Sequence, residues 1–281
     1  MLIDGQTEYR IVSGGRFMLD GGGMFGIIPK TLWARLRTPD ELNRIEMATN
    51  CLLVRTPQQT ILVDTGYGTK LSAKAREIYG ITETDALVRS LAHAGVRPDD
   101  IDLVILSHLH FDHAGGATVA DLEGHLYPAF PHARYIAQRG EWDDAVNKRA
   151  TMTASYMDDN YLPLRDYGLL TLIDGDDEVC PGVRVFVTGG HTRCHQVVMV
   201  ESAHQTVVYA GDILPTTSHL RGPYNMAYDL FPYETMTQKS RWLERAAAGG
   251  WLLVWNHDPI TPAGRVIDEG NGQYRPEPVA L

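Results

Sequence analysis

Residues 108–113 read His108-Leu109-His110-Phe111-Asp112-His113, which places three imidazoles and one carboxylate within six positions. The apolar run from Ile101 to Leu106 precedes them, and Gly115-Gly116 follows. Such a run predicts a buried strand that stops and delivers polar side chains at its end. His108 and His110 are two apart, so an extended backbone turns both to one side. Asp112 and His113 come after the chain begins to turn and can face a second position nearby. The glycine pair is expected to let the backbone bend away tightly. Imidazole together with carboxylate suits zinc, iron or manganese better than magnesium or calcium.

Three later stretches repeat the strand-end pattern. Val183–Val187 runs into Thr188-Gly189-Gly190-His191, Thr206–Ala210 into Gly211-Asp212, and Trp251–Trp255 into Asn256-His257-Asp258. Together they supply five imidazoles and two carboxylates: His108, His110, Asp112, His113, His191, Asp212 and His257. Seven donors are too many for one tetrahedral ion, but they suffice for two ions that share a carboxylate and keep open positions. Asp64, at another strand end beside Gly66, is expected to orient the ligand loops by hydrogen bonds. His195 is expected to support a ligand in the same way. Of the eleven histidines, His93, His125, His132, His204 and His219 lack the strand-end signal and read as surface or core.

In chain order, residues 11–33 are glycine-rich and apolar, and Pro29 argues against a helix across them. Gly21-Gly22-Gly23 before Met24-Phe25 predicts a tight turn. Two readings stay open: a core strand with a turn, or a lip over a cleft with Met24, Phe25 and Trp33 facing substrate. Cys51–Val54 and Thr60–Asp64 read as a hairpin. Thr82–Ala94 has helical spacing, with acids at its start and Gly95 as its stop. Ala133–Gln138, Leu169–Ile173 and Val197–Glu201 read as strands, and Arg139–Asn147 and Tyr233–Ala248 as helices. Residues 150–168 show no period, as an insertion or a loop over the cleft would. The tail after Pro262 is expected to form one edge strand. The two halves echo each other: strand, Asp, helix, strand, His. Two sheets face to face with helices outside would account for that, as one α/β domain spanning 1–281.

Composition narrows the partners. The formal charge is −10, from 35 acids and 25 bases, which disfavours nucleic acid and anionic membranes. No run of apolar residues is long enough to span a bilayer. The first ten residues lack a basic start and an apolar core, so no signal peptide is expected. The three cysteines are far apart, without zinc-ribbon or redox spacing. A reducing, cytoplasmic setting is expected, and an exposed apolar lip would permit a homodimer.

The motif at 108–113, followed by His191, Asp212 and His257, resembles the metallo-β-lactamase superfamily over almost the whole chain. That resemblance implies a four-layer αβ/βα sandwich with a metal site at the sheet edges. It assigns His108, His110 and His191 to one metal, Asp112, His113 and His257 to another, and Asp212 as the bridge. It implies two divalent cations, zinc first, with iron, manganese or cobalt as alternatives. Residues Asp20–Trp33 and Met226–Pro232 are similar to blocks in YtnP-type quorum-quenching N-acyl-homoserine lactone lactonases. The implied activity is opening of a lactone ring by a hydroxide shared between the cations, with Asp112 or Asp212 passing a proton to the leaving oxygen. The chain departs from some such lactonases in having Pro215 where they carry a Tyr that assists the carbonyl. Tyr228 or Tyr224 is the candidate substitute. The alternative enzymatic reading is a phosphotriesterase of the methyl parathion hydrolase type, or another ester hydrolase. A non-catalytic binding member is the reading from a different class.

Overall fold

Side-chain alternation decides which faces of the strands meet. In Thr60–Val63, Ile61 and Val63 turn to one side and Leu62 to the other; in Leu103–Ile105, Val104 opposes Leu103 and Ile105. The first set packs with Val183, Val185, Val198, Val200, Val207, Leu252 and Val254 of a second sheet. Fully burying each such side chain contributes roughly 1.5–3 kcal/mol, so this dry layer supplies the cohesion between the sheets. Leu62 and Val104 face outward onto Leu87 and Leu91 of the helix Ala86–His93. Val208 and Leu253 face outward onto Trp242, Leu243 and Ala246 of the helix Pro232–Gly249. The order is therefore helix, sheet, sheet, helix.

This computed structural model describes residues 1–147 and 153–281. Along the first sheet lie Leu2–Asp4, Thr7–Asp20, Arg44–Arg55, Thr60–Val63, Leu103–Ile105, Arg134–Gln138 and Leu170–Ile173. The last four are mutually parallel, so their C-terminal ends share one edge. Along the second lie Asp177–Cys180, Val183–Val187, Gln196–Glu201, Thr206–Tyr209, Leu252–Val254, Ala263–Gly270 and Gln273–Pro278. Val183–Val187 and Thr206–Tyr209 are each antiparallel to the strand between them, and Thr206–Tyr209 is parallel to Leu252–Val254. Their C-terminal ends also share an edge, which is where open α/β sheets place their ligands. Among the described residues no helix is long and apolar enough to cross a membrane.

Several sequence expectations are corrected. The glycines at 21–23 begin a short helix, Gly21–Phe25, and do not form a tight turn; Asp20 Oδ1 accepts a hydrogen bond from the Gly23 amide at 2.7 Å. A second short helix, Lys30–Trp33, starts directly after Pro29, which suits a helix start better than an interior. The strand at 51–54 is the end of Arg44–Arg55, paired with Thr7–Asp20 across a register shift between Ser13 and Arg16. That bulge interrupts the period-two pattern by which long strands are recognised. The helix Ala73–Ile78 buries no side chain and so shows no apolar stripe. The tail forms two strands, because Asn271 and Gly272 both take positive φ (55° and 69°) in a two-residue hairpin turn. From Thr153 onward the aperiodic stretch resolves into short helical turns and the helix Leu162–Asp166; residues 150–152 lie outside the described residues.

The glycine pair 115–116 serves close approach. A Cβ on Gly115 would lie 2.3 Å from the Tyr67 carbonyl oxygen, and one on Gly116 would lie 2.2 Å from that of Thr65. The loop carrying the histidines is thereby pressed against the loop that begins at Asp64.

Candidate metal centre

Seven side chains meet where the two edges converge. His108, His110, Asp112 and His113 follow Leu103–Ile105, while His191, Asp212 and His257 follow three strands of the second sheet. Three overlapping groups each bring their donor atoms within 4.8 Å of one another: His108 with His110 and His191, His108 with His113 and Asp212, and Asp112 with His113 and His257. Asp212 Oδ1 lies 3.2 Å from Nε2 of both His113 and His257, and its Oδ2 lies 3.3 Å from Nε2 of His191. Asp112 Oδ2 is 3.5 Å from His257 Nε2. Each residue of the cluster is at least nine-tenths buried.

The hydrogen bonds behind the rings decide what the inner nitrogens carry. His113 Nδ1 donates to Asp64 Oδ2 (2.7 Å), His191 Nδ1 to Asp229 Oδ1 (2.9 Å), and His257 Nδ1 to the Ala48 carbonyl (2.7 Å). In neutral rings so held, every Nε2 offers a lone pair toward the centre. Yet the Nε2 atoms of His113 and His257, both lone-pair nitrogens, stand 3.3 Å apart. Lone pairs facing at that distance repel unless a cation or proton lies among them. His108 Nε2 and His110 Nε2 are buried with no hydrogen-bond partner among the described residues. Buried polar nitrogens left in this way are costly, and metal coordination would satisfy them. The donor set thus fits divalent metal.

Electrostatics agree. Burial pushes His108 and His110 well below the usual imidazole range, toward the neutral form that binds metal. At His113, His191 and His257 burial also opposes charge, but carboxylates, Asp212 foremost, outweigh it and raise all three. Positive charge is wanted at that side of the cluster.

Supporting residues come from neighbouring strand ends. Asp64, in left-handed conformation (φ 58°), accepts from the Ser107 amide and hydroxyl, each at 2.7 Å. His195 Nε2 accepts from the Asp212 amide at 3.0 Å, while Nδ1 donates to Thr188 Oγ1. Burial pushes His195 down to about 3, so it stays neutral and able to accept. Sequence reasoning missed Asp229, Asn256, which donates to Asp212 Oδ1 at 2.6 Å, and Glu141. The Glu141 carboxylate accepts from the Leu109 amide, Tyr156 hydroxyl and Thr192 hydroxyl, tying the loops of His110 and His191 together. Glu141 lies in the first turn of a helix directly after Arg134–Gln138, so its signal was the strand-end position itself.

A cavity of about 180 Å³ opens onto the cluster, lined chiefly by Leu19, Met24, Tyr79, Phe111, Met226 and Tyr228 beside the polar residues. Met24 and Tyr228 therefore border the cavity beside the cluster. Phe25, Trp33 and Tyr224 do not line it. Phe25 is fully buried, stacked between Trp33 (5.5 Å) and His219 (5.0 Å), with Tyr224 edge-on at 6.1 Å. The helix at 21–25 turns Phe25 away from the cleft. His219 is part of this packing, its Nε2 on the Met24 carbonyl at 2.8 Å.

The model of the metallo-beta-lactamase superfamily matches residues 44–257. An N-acyl homoserine lactonase from Bacillus thuringiensis subsp. kurstaki is 32% identical over 203 residues, covering 68% of this chain and 69% of its own. The crystal structure of a probable metal-dependent hydrolase from Staphylococcus aureus superposes over 100% of both chains, with a TM-score of 0.89 and 30% identity. An N-acyl homoserine lactone hydrolase, solved with the product N-hexanoyl-L-homoserine at its catalytic metal centre, gives a TM-score of 0.66 at 27% identity over 89% of this chain and 93% of that one. With its four layers, its strand-end cluster of imidazoles and carboxylates and these relatives, the chain belongs to the metallo-beta-lactamase superfamily and is a metal-dependent hydrolase.

Proposed function

We propose that the protein opens the ring of a lactone, an N-acyl homoserine lactone in the first instance, at a site for two divalent cations, zinc foremost. His108, His110 and His191 would hold one cation and Asp112, His113 and His257 the other, with Asp212 shared. The observation that carries this reading is the Asp212 carboxylate, whose two oxygens address separate imidazole groups. When bound, the cations supply an ionised water at neutral pH and polarise the carbonyl oxygen.

The residues of the chain do the rest. No Lys or Arg lines the cavity among the described residues, so it suits a neutral substrate. Leu19, Met24, Phe111 and Met226 offer an apolar wall to an acyl chain. Burial pushes the Tyr228 phenol up to about 12, so it remains protonated and can donate to the carbonyl oxygen as negative charge gathers there. As the attacking oxygen bonds to the carbonyl carbon and the ring C–O bond breaks, Asp112 or Asp212 passes the proton left on that oxygen to the alkoxide, which yields the open hydroxy acid as its carboxylate. The 32% identity to an N-acyl homoserine lactonase supports this substrate class over triesters.

The deciding experiment is a hydrolysis screen of metal-replete protein against N-acyl homoserine lactones, paraoxon-like triesters and β-lactams. Lactone turnover above the others by at least tenfold in kcat/KM is expected. Preferential triester turnover would replace the reading.

A further inference from the structure

Lys239 sits inside the protein without an ion pair among the described residues. It lies on the inner face of the helix Pro232–Gly249 and is 1% exposed. Among the described residues no carboxylate lies within 4.0 Å of its ammonium. Lysines are almost never buried this fully unless paired. Burial pushes its amine down to about 7, against the opposing pull of the Asp229 charge. A helix packing against a sheet needs no such group, since Trp242, Leu243 and Ala246 already fill that role.

Its hydrogen bonds show what it holds. Nζ donates to the Arg221 carbonyl at 3.0 Å and to the Tyr224 carbonyl. Those carbonyls begin the segment 221–231, which borders the cleft at Met226 and Tyr228. Further along it, Asp229 Oδ1 accepts from His191 Nδ1, and its Oδ2 accepts from the Met226 amide at 3.1 Å. Met226 and Tyr228 line the cavity. The segment also donates from Ala227 N to the Gly23 carbonyl and from Leu230 N to the His191 carbonyl. One segment thus carries both the support behind a proposed ligand and part of the substrate wall, and its beginning rests on one buried amine.

We propose that Lys239 is a positioning residue of this centre: its two hydrogen bonds fix the start of the 221–231 segment, and through it the Asp229 carboxylate behind His191 and the cavity wall at Met226 and Tyr228. The inference rests on the proposed metal and lactone reading, and two readouts separate it from that reading.

The test compares metal-replete wild type with Lys239→Met, which keeps the length of the side chain and loses the donors. Cobalt(II) is titrated into metal-depleted protein, with its visible absorption recorded and its affinity measured by chelator competition. N-hexanoyl-homoserine lactone hydrolysis is followed in parallel. The variant is expected to bind the weaker cobalt about tenfold less tightly, in the range for loss of support behind a ligand, with an altered spectrum. Its KM is expected to rise about tenfold and its kcat to fall, by less than the about 10²-fold expected for losing the Tyr228 hydroxyl. A variant that melts earlier but keeps the wild-type cobalt spectrum, affinity and KM overturns the proposal, because a merely structural lysine would behave so. If wild type hydrolyses no lactone, the substrate reading fails while the cobalt comparison still judges Lys239. If Lys239→Met does not fold, Lys239→Arg and Lys239→Gln replace it. Arg, which keeps charge and donors, is then expected to retain the wild-type spectrum and Gln to lose it; equal behaviour of the two overturns the proposal.

Discussion

Asp229 Oδ1 accepts the Nδ1 proton of His191 at 2.9 Å, and that bond fixes which nitrogen of the ring faces the cluster. Without it the ring is free to rotate or to change tautomer. Asp229→Ala is therefore expected to weaken metal retention about 10–100-fold with the fold preserved. Equilibrium dialysis against a zinc buffer, with circular dichroism as control, measures it. Unchanged affinity would remove Asp229 from the account.

Asp212 is the shared donor of the proposed two-cation site. Asp212→Ala is expected to retain no more than one tightly held ion per chain and to lose at least about 100-fold in lactone turnover, more than loss of a supporting partner costs. Elemental analysis beside kinetics decides it. Two ions per chain at full rate would contradict the shared role.

Tyr228 and Gly23 form a linked pair, since a Cβ on Gly23 would lie 2.1 Å from the Tyr228 hydroxyl. Tyr228→Phe is expected to lower kcat about 10²-fold, the usual scale for losing a donor to a developing oxyanion. Gly23→Ala should reproduce much of that loss by displacing the ring, although alanine favours a helix. Combined, the two substitutions should cost little more than either alone. Additive losses in kcat would argue that the hydroxyl and Gly23 act separately.

Lys239 also predicts a slope of stability with pH. Its folded value is about 7 against an ordinary 10.5, so between those values the unfolded chain binds more protons. Stability should rise as pH climbs from 7 toward 10.5, by at most ~1.4 kcal/mol per pH unit, and the slope should vanish below 7, where the cost of burying the charged amine is fully present. Asp229 and His219 face the amine electrostatically; His219, pushed down to about 3, is already neutral across this window. Urea unfolding of wild type and Lys239→Met at pH 7, 8 and 9 reads the difference. Parallel profiles would refute the assignment.

The elements that sequence reveals are those whose local pattern and tertiary role agree. Val183–Val187 has the boundaries its pattern predicts, because its valines share one face and alternate with Arg184 and Phe186, and the helix at Arg139 starts where expected, because it follows a strand end directly. The strand Thr7–Asp20 escapes that logic, since its bulge breaks alternation and its glycines imitate a loop. Phe25 and Trp33 illustrate a second limit. Composition marks them as large and apolar, but only the 21–25 helix decides that Phe25 stacks between Trp33 and His219 and leaves Met24 at the cavity. The clustered histidines and aspartates were legible because donors at strand ends follow from topology. Asp229 and Lys239 were not, since each acts through a loop whose path no short-range pattern specifies.

Four of the clustered side chains leave the first sheet and three leave the second. Cleaving the chain between Ile173 and Val183 would divide them, and each fragment would expose its share of the valine and isoleucine layer to water. Neither piece could work alone, whereas the two mixed could regain activity by complementation. The same architecture that makes the centre rigid would thus let the protein report on whether two attached partners have met.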